Sequence, residues 1–143
     1  MSHEIGHVVL RHGGKRMFQG AVINVLSSVL QVFTPDIQGK ELFFGAFSGI
    51  TTCGVILPYS IDHEYDADSY GIMLTAKGGY DPKASVKFRE KMNALSKGEK
   101  VPEFFPTHPL DENRIAYMKT LITDAEKEFE KSGKKYGPVE KIK

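Results

Sequence analysis

The 143-residue chain has one cysteine, Cys53, so no intrachain disulfide is possible and a thiolate zinc cluster is excluded. Charge of either sign is not in excess. Nineteen Lys and Arg face 18 Asp and Glu, for a formal net charge of +1. Nucleic-acid binding would call for a strong basic excess, and that class of partner is excluded. The chain contains no internal repeat, no glycine-rich phosphate loop and no Ser-His-Asp signature. It shows no leader, because only Met1 and Ser2 precede its first motif, and it therefore reads as an N-terminally truncated fragment. Apolar and charged fractions of 41% and 26% are ordinary for a globular chain with room for one domain.

That first motif is His3-Glu4-Ile5-Gly6-His7. Residues four apart on a helix share a face, so His3 and His7 can turn two imidazoles toward one metal. Glu4 can reach a water on that metal, as general base. Zinc suits the set, since it accepts imidazole nitrogen and keeps an open position in catalytic sites. The helix is expected from Ser2, as cap, to about His12, with Gly13-Gly14 as its stop. A metal ligand is one reading of His12. The preferred reading is a solvent-facing or supporting histidine.

Two runs lack charge entirely, 17–35 and 42–61. Each approaches the length that crosses a bilayer. Gln19, Asn24, Ser27, Ser28 and Gln31 oppose a lipid environment in the first run, and Gly, Ser, Thr and Pro58 interrupt the second. Buried core helices are therefore expected ahead of a transmembrane hairpin. An apolar surface resting on a membrane or a partner is the third possibility.

A helix with an acidic first half follows, capped by Ser60 or Asp62 and stopped at Gly78-Gly79. Glu64 and Asp68 share one of its faces. A buried carboxylate needs a cation or a hydrogen-bond donor, and a metal would supply the former. Glu64 is then the third ligand, and Asp68 orients a ligating histidine from behind. His63 points about 100° away and is not expected to ligate beside Glu64. Asp81-Pro82 starts another helix, reaching Ser96, with Val86, Phe88, Met92 and Leu95 available for packing. A last helix carries Ile115, Met118, Leu121 and Ile122.

Together these residues resemble a family of gluzincin metallopeptidases. It includes the CAAX prenyl endopeptidase, the HtpX-type heat-shock proteases and the bacterial BepA and mitochondrial OMA groups. Three stretches carry the resemblance: His3-Glu4-x-x-His7 with Leu10-Arg11-His12; Glu64-Tyr65-Asp66-Ala67-Asp68-x-x-Gly71 with Gly79-Tyr80-Asp81-Pro82; and Thr107-His108-Pro109 with Arg114. The likeness reaches to about Tyr117. It implies a mainly α, zincin-like helical core from which the sheet edge upstream is missing. Zinc would be held by His3, His7 and Glu64, with Glu4 as base and Asp68 behind a ligand. His108 and Arg114 would stand at the active site, His108 stabilising the oxyanion. The implied activity is zinc endopeptidase on an extended polypeptide, in protein quality control or processing, in the cell envelope. Membrane association could come through 17–35 and 42–61. Ile61 departs from the family, which often has a basic residue there. Without the edge strand, weak or no cleavage is expected, and an inactive binding or chaperone-like module is the alternative. The catalytic domain is expected over 1–123, with a charged, mobile tail over 124–143.

Overall fold

A computed structural model describes residues 1–35, 38–96, 112–133 and 136. Among them are six α-helices and no strand. In chain order these are α1 (Ser2–Val9), α2 (His12–Phe33), α3 (Lys40–Thr51), α4 (Leu57–Lys77), α5 (Lys83–Ser96) and α6 (Glu112–Lys131). A π-helical stretch, Thr52–Ile56, links α3 to α4. The chain divides into two compact units, Met1–Gly6 with Glu64–Lys143, and His7–His63.

The first unit contains the apolar core. Ile72 and Ala76 of α4, Val86 of α5, and Ile115, Met118 and Ala125 of α6 are buried together. Met73, Leu121, Ile122 and Phe129 pack around them. Phe88 and Leu95, expected to pack, are instead exposed. Asp81 caps α5 as read from sequence, accepting from the Lys83 backbone N–H at 2.9 Å. The charged tail was read from residue 124, yet α6 continues to Lys131, because Ala125 and Phe129 extend its apolar face. Beyond it, Tyr136 N–H donates to the Gly79 carbonyl at 2.9 Å, and its ring stacks on Tyr80.

The start of α1 lies tightly against α4. A Cβ on Gly6 would stand 2.9 Å from the Ala67 carbonyl oxygen, and one on Gly71 would stand 3.0 Å from the His3 backbone nitrogen. Ser2 is not a helix cap; its hydroxyl meets that of Thr75 at 2.9 Å. Small residues at these positions let two backbones approach and set the depth at which His3 stands.

In the second unit the expected stop at Gly13-Gly14 is absent, and α2 runs straight through both glycines. The break falls at Arg11, whose φ of 56° and ψ of 35° are left-handed. Its N–H closes α1 on the Val8 carbonyl, and α2 restarts at His12. The buried-core reading of the two uncharged runs is overturned. His12 is the buried residue of α2, α3 has none, and Val25, Leu26, Val29, Val32, Phe33, Leu42 and Phe43 are exposed. The described chain places no apolar cover over them. No described helix is long and apolar enough to cross a membrane. α4 also starts before Ser60 and Asp62, so neither caps it. Its acidic residues lie mid-helix, where charge partners rather than the helix dipole must hold them.

The α1–α4 approach gives a directional test. Gly6→Ala gains up to about 1 kcal/mol of helix propensity. Overpacking against fixed backbone costs about 1–3 kcal/mol. Thermal unfolding is expected to show Gly6→Ala destabilised, and Gly45→Ala, with open space around its Cβ, unchanged or stabilised.

Candidate metal centre

Every described group of the candidate site is carried by a helix. His3, Glu4 and His7 lie on α1, with the two histidines four residues apart on one face. Glu64 and Asp68 repeat that spacing on α4, and both are buried. His3 stands between these carboxylates. Its Nδ1 is 2.9 Å from Asp68 Oδ1, and its Nε2 is 3.4 Å from Glu64 Oε2. Asp68 holds the ring by one nitrogen and directs the other toward Glu64.

Asp68 is 2% exposed, and such burial requires strong partners. Arg89 of α5 donates from Nη2 to Oδ1 at 2.7 Å. Arg114 of α6 donates from Nε to Oδ2 at 2.7 Å, and its Nη2 lies at the same distance from that oxygen. The Arg114 Nη1 reaches Glu64 Oε2 at 2.9 Å. Two guanidiniums thus balance two carboxylates, and three helices meet at one side chain. Burial opposes charge on His3, but hydrogen bonds to Asp68 and Glu64 outweigh it and raise its pKa above 6.5. Burial opposes charge on Asp68 as well. The His3 hydrogen bond and the two arginines outweigh it and lower its pKa below 3.8.

The second histidine of the motif has its own support. His7 Nδ1 and His12 Nδ1 are 3.0 Å apart, one donating and the other accepting. The His12 ring stacks on His63, with centroids 4.0 Å apart and planes 10° from parallel. Both rings are buried. His63 therefore stands beside His12.

Two imidazoles and a carboxylate, without a thiol, are a donor set that fits a catalytic zinc. Glu4 is exposed next to His3. A cavity of about 1070 Å³ opens beside these two residues, walled by Ile5, Ile72, Phe88 and Met118.

The profile of Peptidase family M48 matches residues 1–122. The chain belongs to peptidase family M48. The β-barrel assembly-enhancing protease of Escherichia coli K12 is 29% identical to this M48 chain, across 90% of the chain and 29% of that protein. The mitochondrial metalloendopeptidase OMA1 of Arabidopsis thaliana is 30% identical, across 80% of the chain and 22% of its own length. Human OMA1 is 30% identical, across 87% and 25% respectively. The chain thus spans less than a third of each of these relatives. No solved structure matches.

Of the site residues read from sequence, His3, Glu64, Asp68 and Arg114 come together in one hydrogen-bonded group, and Glu4 and His7 sit on the same helix as His3. His108 lies outside the described residues. Arg89 was missed. Its signal was a single basic residue three positions after Val86, on the buried face of α5.

The pKa directions give a pH signature for the metal-free chain. Asp68, lowered on folding, contributes stability above pH 3.8 that is lost as pH falls through its lower folded value. His3, raised on folding, contributes stability below pH 6.5 that is lost as pH rises through its higher folded value. In chelator, the margin of the parent chain over Asp68→Asn is expected to be widest between those limits and to narrow on either side. Melting temperatures of both chains across pH 3 to 8 check this.

Proposed function

We propose that the chain is the catalytic part of a zinc-dependent metalloendopeptidase, with His3, His7 and Glu64 as the metal ligands. The observation that carries the reading is the held His3 ring. Its Nδ1 is fixed on Asp68 while its Nε2 faces Glu64, the arrangement by which outer carboxylates orient metal-binding imidazoles. Membership of family M48 and the metalloendopeptidase relatives support it. When bound, zinc supplies Lewis acidity toward water and the scissile carbonyl.

The remaining roles belong to side chains. Glu4 takes the proton of the attacking water and delivers it to the leaving amine. Its exposure beside the cavity gives a polypeptide access to it, and the apolar wall suits a substrate side chain next to the cleaved bond. Asp68 keeps His3 in the tautomer with its proton on Nδ1, so that Nε2 ligates. Arg114 holds Glu64 and Asp68 in register from a third helix. His108 stabilises the oxyanion, on the strength of the family resemblance. The substrate is an extended polypeptide, and the setting is protein processing or quality control.

Zinc analysis and a cleavage assay test this reading together. The purified chain is expected to hold about one zinc. His7→Ala and Glu64→Ala are expected to lose it. Glu4→Gln is expected to keep the metal and to lower any cleavage of an unfolded protein by about 10²–10⁴-fold. Undiminished zinc in either ligand variant would remove the ligand assignment. Zinc binding without cleavage, in the full-length protein as well, would favour an inactive binding module.

A second reading concerns the partner of the uncharged helices. The exposed side chains of α2, together with Lys15 and Arg16 at its start, suit the interface of an anionic membrane, in keeping with a cell-envelope setting. In flotation with vesicles containing anionic lipid, the parent chain is expected to rise with the lipid. A chain with Val25→Glu and Val29→Glu is expected to stay below. Equal flotation of the two would rule out this face as the contact.

A further inference from the structure

The motif predicts two metal-binding histidines but says nothing of what holds the second. His3 has Asp68. A ligating imidazole needs its other nitrogen engaged to fix tautomer and ring plane, and His7 needs this as much as His3 does. We propose that His12 is the positioning residue for His7, and that His63 holds His12 in place by stacking. The assignment rests on the zinc reading above and extends it to residues outside the ligand set.

Three observations carry it. The Nδ1 atoms of His7 and His12 are 3.0 Å apart, so Nδ1 of His7 is the engaged nitrogen and Nε2 is the ligating one. The His12 ring is 2% exposed and lies nearly parallel to His63 at 4.0 Å, which leaves it little freedom to turn. The backbone reaches this arrangement through Arg11 in the left-handed region, which is sterically unfavourable for a non-glycine residue. Two glycines follow at once, at positions 13 and 14, yet the left-handed turn is not made there. A break at Arg11, rather than at those glycines, starts α2 at His12 and puts its ring against His7. Such strain persists where the surrounding structure holds it in place.

Proton bookkeeping then fixes the direction of the hydrogen bond. Neutral imidazole carries one N–H. With Nε2 of His7 given to the metal, its proton is on Nδ1, and Nδ1–H donates to Nδ1 of His12. His12 accepts there and carries its own proton on Nε2. His7 thus has a neutral acceptor where His3 has a charged one. The two ligands are therefore held by different chemistry: Asp68 holds His3, and an imidazole ring holds His7.

Two substitutions and one spectrum test the assignment. Asn presents its Oδ1 close to where His presents Nδ1, so His12→Asn keeps the acceptor. His12→Phe keeps a ring to stack on His63 and removes the acceptor. In competition with a chelator for zinc, His12→Phe is expected to bind about 10–100-fold more weakly than the parent chain. His12→Asn is expected to recover most of that loss, with far-UV circular dichroism alike in all three. In the zinc-loaded parent chain, ¹⁵N–¹H correlation spectra of the histidine rings are expected to show His7 protonated at Nδ1 and His12 at Nε2. A parent chain that takes up no zinc overturns the zinc reading and this assignment together. A parent chain that binds zinc, with His12→Phe binding it equally tightly, overturns the role of His12 alone. If His12→Phe does not fold, the ring spectra decide, and a proton on Nε2 of zinc-bound His7 refutes the assignment.

Discussion

The Asp68 carboxylate is the group on which the described site depends. It is buried mid-helix, where an ionised carboxylate is stable only with donors on every side. His3, Arg89 and Arg114 supply them from α1, α5 and α6. Removing one partner of such a buried group costs about 3–5 kcal/mol, because the remaining charge is left uncompensated. The same side chain therefore ties three helices to α4 and sets the orientation of His3. Stability and site geometry are one constraint here, and a substitution at Asp68, Arg89 or Arg114 acts on both.

Close backbone approach is the second constraint. Gly6 against Ala67 and Gly71 against His3 allow α1 to lie near enough for His3 to reach Asp68 at 2.9 Å. The apolar core of α4, α5 and α6 keeps α4 rigid beneath it. The unit His7–His63 is built differently. Its long helices expose most of their apolar residues, and its buried pair, His12 and His63, are polar rings stacked on each other.

Much of this was readable from residue spacing. Periods of four placed His3 with His7 and Glu64 with Asp68, because helical geometry alone decides which side chains share a face. Asp81-Pro82 was legible as a helix start, since a cap is a local interaction. What failed depended on tertiary context. Gly13-Gly14 looked like a stop, but the left-handed residue is Arg11, and no local propensity points to an arginine. The uncharged runs looked like core, although hydropathy does not say whether a cover exists. Arg89 was not singled out, because only the packing of α5 turns it toward Asp68. Ala125 and Phe129 were hidden in a charged stretch whose apolar residues are sparse but correctly phased for α6.

X-ray absorption at the zinc edge of the purified, zinc-loaded chain is the most direct measurement of the central claim, that α1 and α4 together hold one zinc. The account predicts two imidazole nitrogens at about 2.0–2.1 Å and oxygen donors at about 2.0–2.2 Å, and no bound zinc left to give such a shell in Glu64→Ala. A first shell with fewer than two imidazoles, or one unchanged by Glu64→Ala, would contradict it.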